Sequence, residues 1–341
     1  MLKRTPNHRV EVDDLNHPRN MHNPLPYYGT TKGELVSRLL VPIKPTHRCK
    51  ALLLIGFALS CASQRILYAA DPPVLPPLTT VSGSPHLPGK FIWADLVTDN
   101  VPAARDFYAQ LFGWRFQLAG NYSIALNNDR PLCGMFQKAR PEGKPAKPRW
   151  FGYISTDSIG RTERAVTKSG GRVLVPAQKF PKRGEQVVFS DPEGAIFGAI
   201  KSSSGDPEDF LPDPGDWIWI QLLSRDAQKA ADFYKAVAGY DVVPNTSSNR
   251  LSDFVLVSEG YARGTVRSIA PGNTQVQPTW LPFVRVKNIG DSVARATQLG
   301  GKVAVEPRPE LFQGKVAVVE DPTGAAIGLL DWSHEQMKGG R

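Results

Sequence analysis

Histidine is missing from the long middle of this sequence. Six of the 341 residues are histidine, at positions 8, 17, 22, 47, 86 and 334, so none falls between residues 87 and 333. That stretch therefore cannot hold a metal site built on imidazole, nor a nucleophile activated by a histidine base. Three cysteines, Cys49, Cys61 and Cys133, are too few for a disulfide framework. No apolar run reaches the roughly 20 residues of a membrane-crossing helix, and no glycine-rich phosphate loop or element for base readout occurs. Core-forming material is not scarce. With 41% hydrophobic and 21% charged residues, the chain is not disordered and can build one large domain or two of ordinary size.

The net charge of +9 is unevenly spread. Residues 1–50 hold nine basic and four acidic groups, so this arm carries +5 and the other 291 residues only +4. Nucleic acid is not an expected partner. Behind Lys44, Arg48 and Lys50 comes a ten-residue apolar run, 51–60, followed by Cys61. Ten helical residues rise only about 15 Å, half a bilayer core. A basic flank, a short apolar region and small residues before a cut predict a secretory signal over 41–61. The segment Ala58-Leu59-Ser60-Cys61 resembles the lipobox of bacterial lipoproteins, although Ala58 stands where leucine is usual. The resemblance implies a lipidated Cys61 and a membrane-anchored protein on the periplasmic side of a bacterial envelope; a secreted or a cytoplasmic protein is the alternative. Residues 1–40 then read as a non-native or disordered extension, with translation starting near Leu40 or Val41. Pro72, Pro73, Pro76, Pro77, Pro85 and Pro88 predict an extended stalk over 62–89.

The rest of the chain is one domain written twice. Phe91-Ile-Trp93-Ala-Asp95, Asp106-Phe-Tyr108 and Phe112-Gly-Trp114 return as Trp217-Ile-Trp219-Ile-Gln221, Asp232-Phe-Tyr234 and Ala238-Gly-Tyr240. Trp150, Gly170-Gly171 and Asp191-Pro-Glu-Gly194 return as Trp280, Gly300-Gly301 and Asp321-Pro-Thr-Gly324. The copies span 90–201 and 217–332, joined by a linker, 202–216, and followed by a tail, 333–341. Each copy is itself double. Alternating apolar residues predict strands at Phe91–Asp95 and Trp150–Ser155, and each leads into a helix capped by Asn100 or Ser158. Asp226 and Asn288 are the matching caps in the second copy. The Asp-Pro-x-Gly segments read as structural turns, Cys133 as a small buried hydrophobe, and the basic loop from Lys138 to Arg149 as a solvated face.

Four strand–helix–three-strand units in two pairs resemble the vicinal oxygen chelate superfamily of glyoxalase I, extradiol dioxygenases and bleomycin-resistance proteins. The resemblance implies an α+β fold of two tandem domains, each a pair of βαβββ units forming a half-open barrel whose concave face holds the ligand. It makes the chain pseudo-dimeric by itself, so a monomer suffices. Family enzymes hold a divalent metal there, which acts as a Lewis acid. The family's ligand positions fall at Trp93, Phe151, Gly198 and near Gly134 in copy one, and at Trp219, Leu281, Gly328 and near Gly264 in copy two. None can coordinate a cation, so no metal cofactor is expected.

Aromatic side chains stand at and beside these positions. Phe91, Trp93 and Asp95 share one strand face by alternation, as do Trp217, Trp219 and Gln221. The expected ligand-binding residues are therefore Trp93, Asp95, Trp150, Trp219, Gln221 and Trp280, an indole-lined cleft suited to a flat or cationic small molecule. The competing view is that the tryptophans merely fill spent barrels. Metal-free binding of a small molecule is the leading expectation. A metal-dependent lyase or dioxygenase with an all-carboxylate site, drawing on Asp95 and Glu193, and a non-catalytic envelope scaffold are the alternatives.

Overall fold

The computed structural model describes residues 74–79, 83–137, 147–246 and 252–332. Each unit opens with a strand, runs through one helix and closes with three strands. The first comprises β1 (Phe91–Thr98), α1 (Val101–Phe112), β2 (Arg115–Ala119), β3 (Tyr122–Asn127) and β4 (Arg130–Gln137). The second comprises β5 (Arg149–Ser155), α2 (Ile159–Lys168), β6 (Arg172–Phe180), β7 (Gly184–Ser190) and β8 (Ile196–Ser202). After the linker come β9 (Trp217–Ser224), α3 (Ala227–Ala238), β10 (Asp241–Pro244), β11 (Phe254–Ser258) and β12 (Tyr261–Ser268). The last unit is β13 (Thr279–Val286), α4 (Ile289–Gln298), β14 (Lys302–Val305), β15 (Val316–Glu320) and β16 (Ala326–Asp331).

Helix starts obey side-chain chemistry. The oxygens of Asn100, Ser158, Asp226 and Asn288 accept from the Ala103, Arg161, Lys229 and Asp291 amides at 2.9–3.3 Å, satisfying donors that the first turn leaves orphaned. Two units then share one sheet. The strand orders are β2-β3-β4-β1-β5-β8-β7-β6 and β10-β11-β12-β9-β13-β16-β15-β14, so both sheets are mixed and neither closes into a barrel. The units meet at antiparallel β1–β5 and β9–β13, while β1 runs parallel to β4 and β13 to β16. The fold is thus α+β in two tandem eight-stranded domains.

The helix-bearing faces of the two sheets pack on each other, and their cores are mixed. One cluster joins α2 and β7–β8 (Val166, Phe189, Phe197) to α3 and its strands (Phe233, Tyr234, Leu256). The other joins α1 and β4 (Phe107, Tyr108, Met135) to the fourth unit (Val284, Ala296, Leu329). Tyr108 Oη donates to Asp321 Oδ2 at 3.0 Å, and Tyr234 Oη to Asp191 Oδ2 at 3.2 Å. The Asp-Pro-x-Gly turns are therefore cross-domain locks as well as turns. Burial, with Asp321 as the second cause, pushes the Tyr108 hydroxyl well above its ordinary value; burial and then Asp191 do the same for Tyr234.

Where its residues are described, the proline-rich segment is no free stalk. Leu75 and Leu78 are buried against the first sheet, on the face away from the helices. The Leu87 amide donates to buried Asp206 at 2.7 Å, and the Asp206 amide to Pro85 O at 3.0 Å. The leucines among the prolines cover an apolar surface instead of standing free. The signal segment, Cys61 and the tail lie outside the described residues, as do Lys138, Arg140 and Lys144 of the basic loop. Among the described residues no helix is long and apolar enough to cross a membrane.

Candidate functional site

The helix-free face of domain 1 is centred on one carboxylate. Asp95 on β1 sits opposite Gly134 of β4 and Phe151 of β5, and Trp93 sits opposite Tyr153. Asp95 Oδ1 accepts from Tyr122 Oη at 2.5 Å and from Trp93 Nε1 at 2.9 Å, while Oδ2 accepts from Tyr153 Oη at 2.8 Å. Burial pushes the Asp95 carboxyl above its ordinary range, against the opposing pull of the two phenols, the Arg183 charge and the indole. Burial, then the Asp95 charge, pushes both phenols well up. Gly134 makes the arrangement possible, because a Cβ there would lie 1.8 Å from Tyr122 Oη and 2.4 Å from Asp95 Oδ1.

Arg183 closes this site from the turn between β6 and β7. Its side chain has no exposed surface, its guanidinium carbon lies 4.0 Å from the Trp93 ring centroid, and Nε donates to Pro76 O at 2.7 Å. Nη1 and Nη2 are both buried and have no hydrogen-bond partner. Burial lowers the Arg183 pKa, while Tyr122, Asp95 and Tyr153 act in the opposite direction. Each unpaired buried donor costs about 1–3 kcal/mol, and more on a charged group. Leu75, Leu78, Phe151 and Phe180 complete an apolar surround.

Domain 2 keeps the frame and drops the charge. Thr265 Oγ1 accepts from Trp219 Nε1 at 3.1 Å and from Gln221 Nε2 at 3.2 Å. Trp219 is half-buried, whereas Trp93 is only 4% exposed. Thr265 pairs with Gln221 as Gly134 pairs with Asp95, so Thr265, not Gly264, is the structural counterpart of Gly134. Gly264, the next residue along β12, matches Cys133 and by alternation faces the other side of the sheet, toward Ile220 and Trp280. A buried arginine of this domain, Arg263, bonds Asp209 through Nη1 at 2.8 and 3.0 Å, and Lys90 approaches the same carboxylate at 3.0 Å. Burial works against ionisation of Asp209, but these two cations hold its carboxyl below the usual range.

The six residues expected to bind a ligand divide by face. Trp93 and Asp95 come together in domain 1, and Trp219 and Gln221 in domain 2. Trp150 and Trp280 do not join them. Trp150 pairs with Leu96, belongs to the cross-domain core, and donates to Tyr108 Oη at 2.9 Å; Trp280 donates to Tyr234 Oη at 2.8 Å. Phe91 and Trp217 also leave the expected face, because a register shift follows each of them. Phe91 packs on Trp280 at 4.8 Å and Trp217 on Trp150 at 5.3 Å between ring centroids. Expectation missed Arg183, Tyr122, Tyr153 and Thr265. The alternating Tyr122-Ser-Ile124 and Phe151-Gly-Tyr153 patterns could have pointed to the phenols, but no motif marks Arg183.

The donor set does not fit a divalent cation. Among the described residues no three His, Cys, Asp or Glu side chains gather where they could hold one. The carboxylate positions Gly198 and Gly328 lie directly under aromatic rings: a Cβ would come within 2.1 Å of Tyr153 and 2.2 Å of Phe283. Asp95, the carboxylate beside those positions, already accepts from three donors. Glu193 is committed elsewhere, accepting from Ser224 Oγ at 2.7 Å and from the Arg225 and Asp226 amides at 3.1 Å.

Comparison with known proteins adds the lineage. A model of the glyoxalase/bleomycin resistance protein/dioxygenase superfamily matches residues 90–197, and a glyoxalase-like domain model matches 217–330. The putative glyoxylase CFP32 of Mycobacterium tuberculosis is 29% identical over 257 residues, covering 72% of this chain and 95% of that protein. The anthracycline biosynthesis protein DnrV of Streptomyces peucetius is 28% identical over 261 residues, covering 72% and 94%. Among solved structures, a variant of homoprotocatechuate 2,3-dioxygenase from Brevibacterium fuscum matches with a TM-score of 0.50 at 10% identity, covering 74% of each chain. At that identity the likeness concerns the fold alone.

Proposed function

Because the chain belongs to the glyoxalase/bleomycin resistance protein/dioxygenase superfamily, we propose that it uses the family's ligand-binding face without the metal, as a receptor for a small, flat organic molecule. The observation that carries this reading is the filling of the family's carboxylate positions, Gly198 and Gly328, by the rings of Tyr153 and Phe283. What remains on each face is an indole and a hydrogen-bonding group: Trp93 with Asp95, Trp219 with Gln221 and Thr265. Such a pair stacks a planar ligand and orients one polar edge. Relatives named for anthracycline biosynthesis support an aromatic class of ligand.

The half-buried Trp219 makes domain 2 the more accessible receptor. Tryptophan-fluorescence screening of planar heteroaromatics and aromatic cations tests the reading. Saturable quenching is expected to vanish in Trp219→Ala and to persist after exhaustive chelation. Loss of binding on chelation, restored by manganese, iron, nickel or zinc, would instead establish the metal-dependent lyase or dioxygenase alternative. Export and anchoring through Cys61 complete the proposal. Thirteen residue-to-residue steps lead from Cys61 to Val74, the neighbour of buried Leu75, so the tether reaches at most about 45 Å. Membrane fractionation of wild type against Cys61→Ser checks this, with release of the variant into the soluble fraction expected.

A further inference from the structure

Of all the buried polar groups in the described residues, Arg183 combines the strongest demand with the clearest geometry. Its guanidinium is fixed on two sides, by the Trp93 ring 4.0 Å away and by the Pro76 carbonyl 2.7 Å from Nε. The remaining fork, Nη1 and Nη2, is wholly buried and unpartnered. No carboxylate among the described residues forms an ion pair with it; Asp95 instead takes the indole and two phenols. Of the buried arginines of domain 2, Arg263 has Asp209, and Arg285 has the Trp332 and Pro212 carbonyls. A fork of two parallel N–H donors matches the two oxygens of a carboxylate.

We propose that domain 1 binds a small monocarboxylate beneath residues 74–79, its two oxygens accepting from Nη1 and Nη2 of Arg183. This goes beyond the metal-free reading above and rests on it. The surround selects the class. Trp93, Phe151, Tyr153, Leu75 and Leu78 offer apolar contact to an organic body. A phosphate dianion would bring two charges against one guanidinium, with the Asp95 carboxyl close by, so a single negative charge suits the site better. Segment 74–79 supplies the Pro76 carbonyl that aims the guanidinium and, in Leu75 and Leu78, two buried members of the apolar cluster that holds Trp93.

The test uses the full chain, with benzoate, benzamide and inorganic phosphate as probes, read by calorimetry and tryptophan fluorescence. Benzoate is expected to bind saturably, at least tenfold more tightly than benzamide or phosphate. Arg183→Met should abolish the benzoate response. Arg183→Lys, which keeps the charge but not the fork, should weaken it at least tenfold, and thermal melts identify any variant that fails to fold. Absence of saturable benzoate binding, equal binding of benzamide, or benzoate binding unaffected by Arg183→Lys would each overturn the proposal. Heteroaromatic binding that depends on Trp219 and not on Arg183 would leave the metal-free reading standing while this site falls; loss of both would remove the two together.

Discussion

The two helix-free faces are copies that diverged in opposite electrostatic directions. Domain 1 concentrates a carboxylate, two phenols and a guanidinium in a buried cluster, whereas domain 2 solves the same geometry with a carboxamide and a hydroxyl. Both keep an indole hydrogen-bonded at the centre and differ in the polar group beside it. In both, an aromatic ring lies over a glycine: Tyr153 over Gly198, Phe283 over Gly328. The polar centre can then stay charged only if donors surround it. Domain 1 supplies three of them to Asp95; domain 2 replaces the charge with Gln221, whose amide shares Thr265 with Trp219.

Matched substitutions in the two domains measure how far these faces differ. The largest difference is expected from the tryptophans. Trp93→Ala should cost about 4 kcal/mol in urea unfolding, Trp219→Ala about 2, since only Trp93 is fully enclosed; equal losses would mean the faces are equally packed. Next come the paired positions on β4 and β12. Gly134→Thr should cost about 3 kcal/mol by driving a side chain into Tyr122 and Asp95. Thr265→Gly should cost about 1–2 kcal/mol, by removing the acceptor shared by Trp219 and Gln221. Smaller still, Tyr108→Phe and Tyr234→Phe should cost about 1 kcal/mol each, and alike, because their Asp–Tyr–Trp sets match. A marked inequality would show that one cross-domain lock dominates.

The last contrast is in pH dependence. Burial raises the folded-state pKa of Asp95 above its unfolded value, so the unfolded chain gives up that proton first. The contribution of Asp95 to stability is greatest below the ordinary carboxylate range. It falls as pH climbs from that range to the raised value, and is constant beyond. The difference in unfolding free energy between wild type and Asp95→Asn, measured across acid pH, should therefore decline over that window. Gln221→Ala in domain 2 should change stability by an amount independent of pH. A flat Asp95 difference would mean that its three hydrogen bonds offset desolvation.

The repeat, the four caps and the unit order were legible because each is local or repeated. Asn100, Ser158, Asp226 and Asn288 announce helices through a hydrogen bond three residues long, and the second copy checks the first. Trp93, Asp95, Trp219 and Gln221 followed from alternation. Phe91 and Trp217 did not, since one extra residue in a strand reverses every side chain beyond it. Trp150 and Trp280 match each other faithfully between copies, yet repetition says nothing about which side of a sheet a residue takes. The contact of Arg183 with Pro76 was illegible for a different reason: the two meet across more than a hundred positions, in a turn and a proline-rich segment without a periodic pattern.

The mixed cores carry a consequence for how the chain can be divided. Sequence similarity cuts it at the linker into two complete domains, but neither piece owns a complete interior. Each holds one side of both clusters, with Phe107 and Tyr108 or Phe233 and Tyr234 facing residues that the other piece supplies. Severed there, the halves would behave as sticky complements that reassemble rather than as free-standing proteins. The unit that was duplicated and the unit that holds together are different objects.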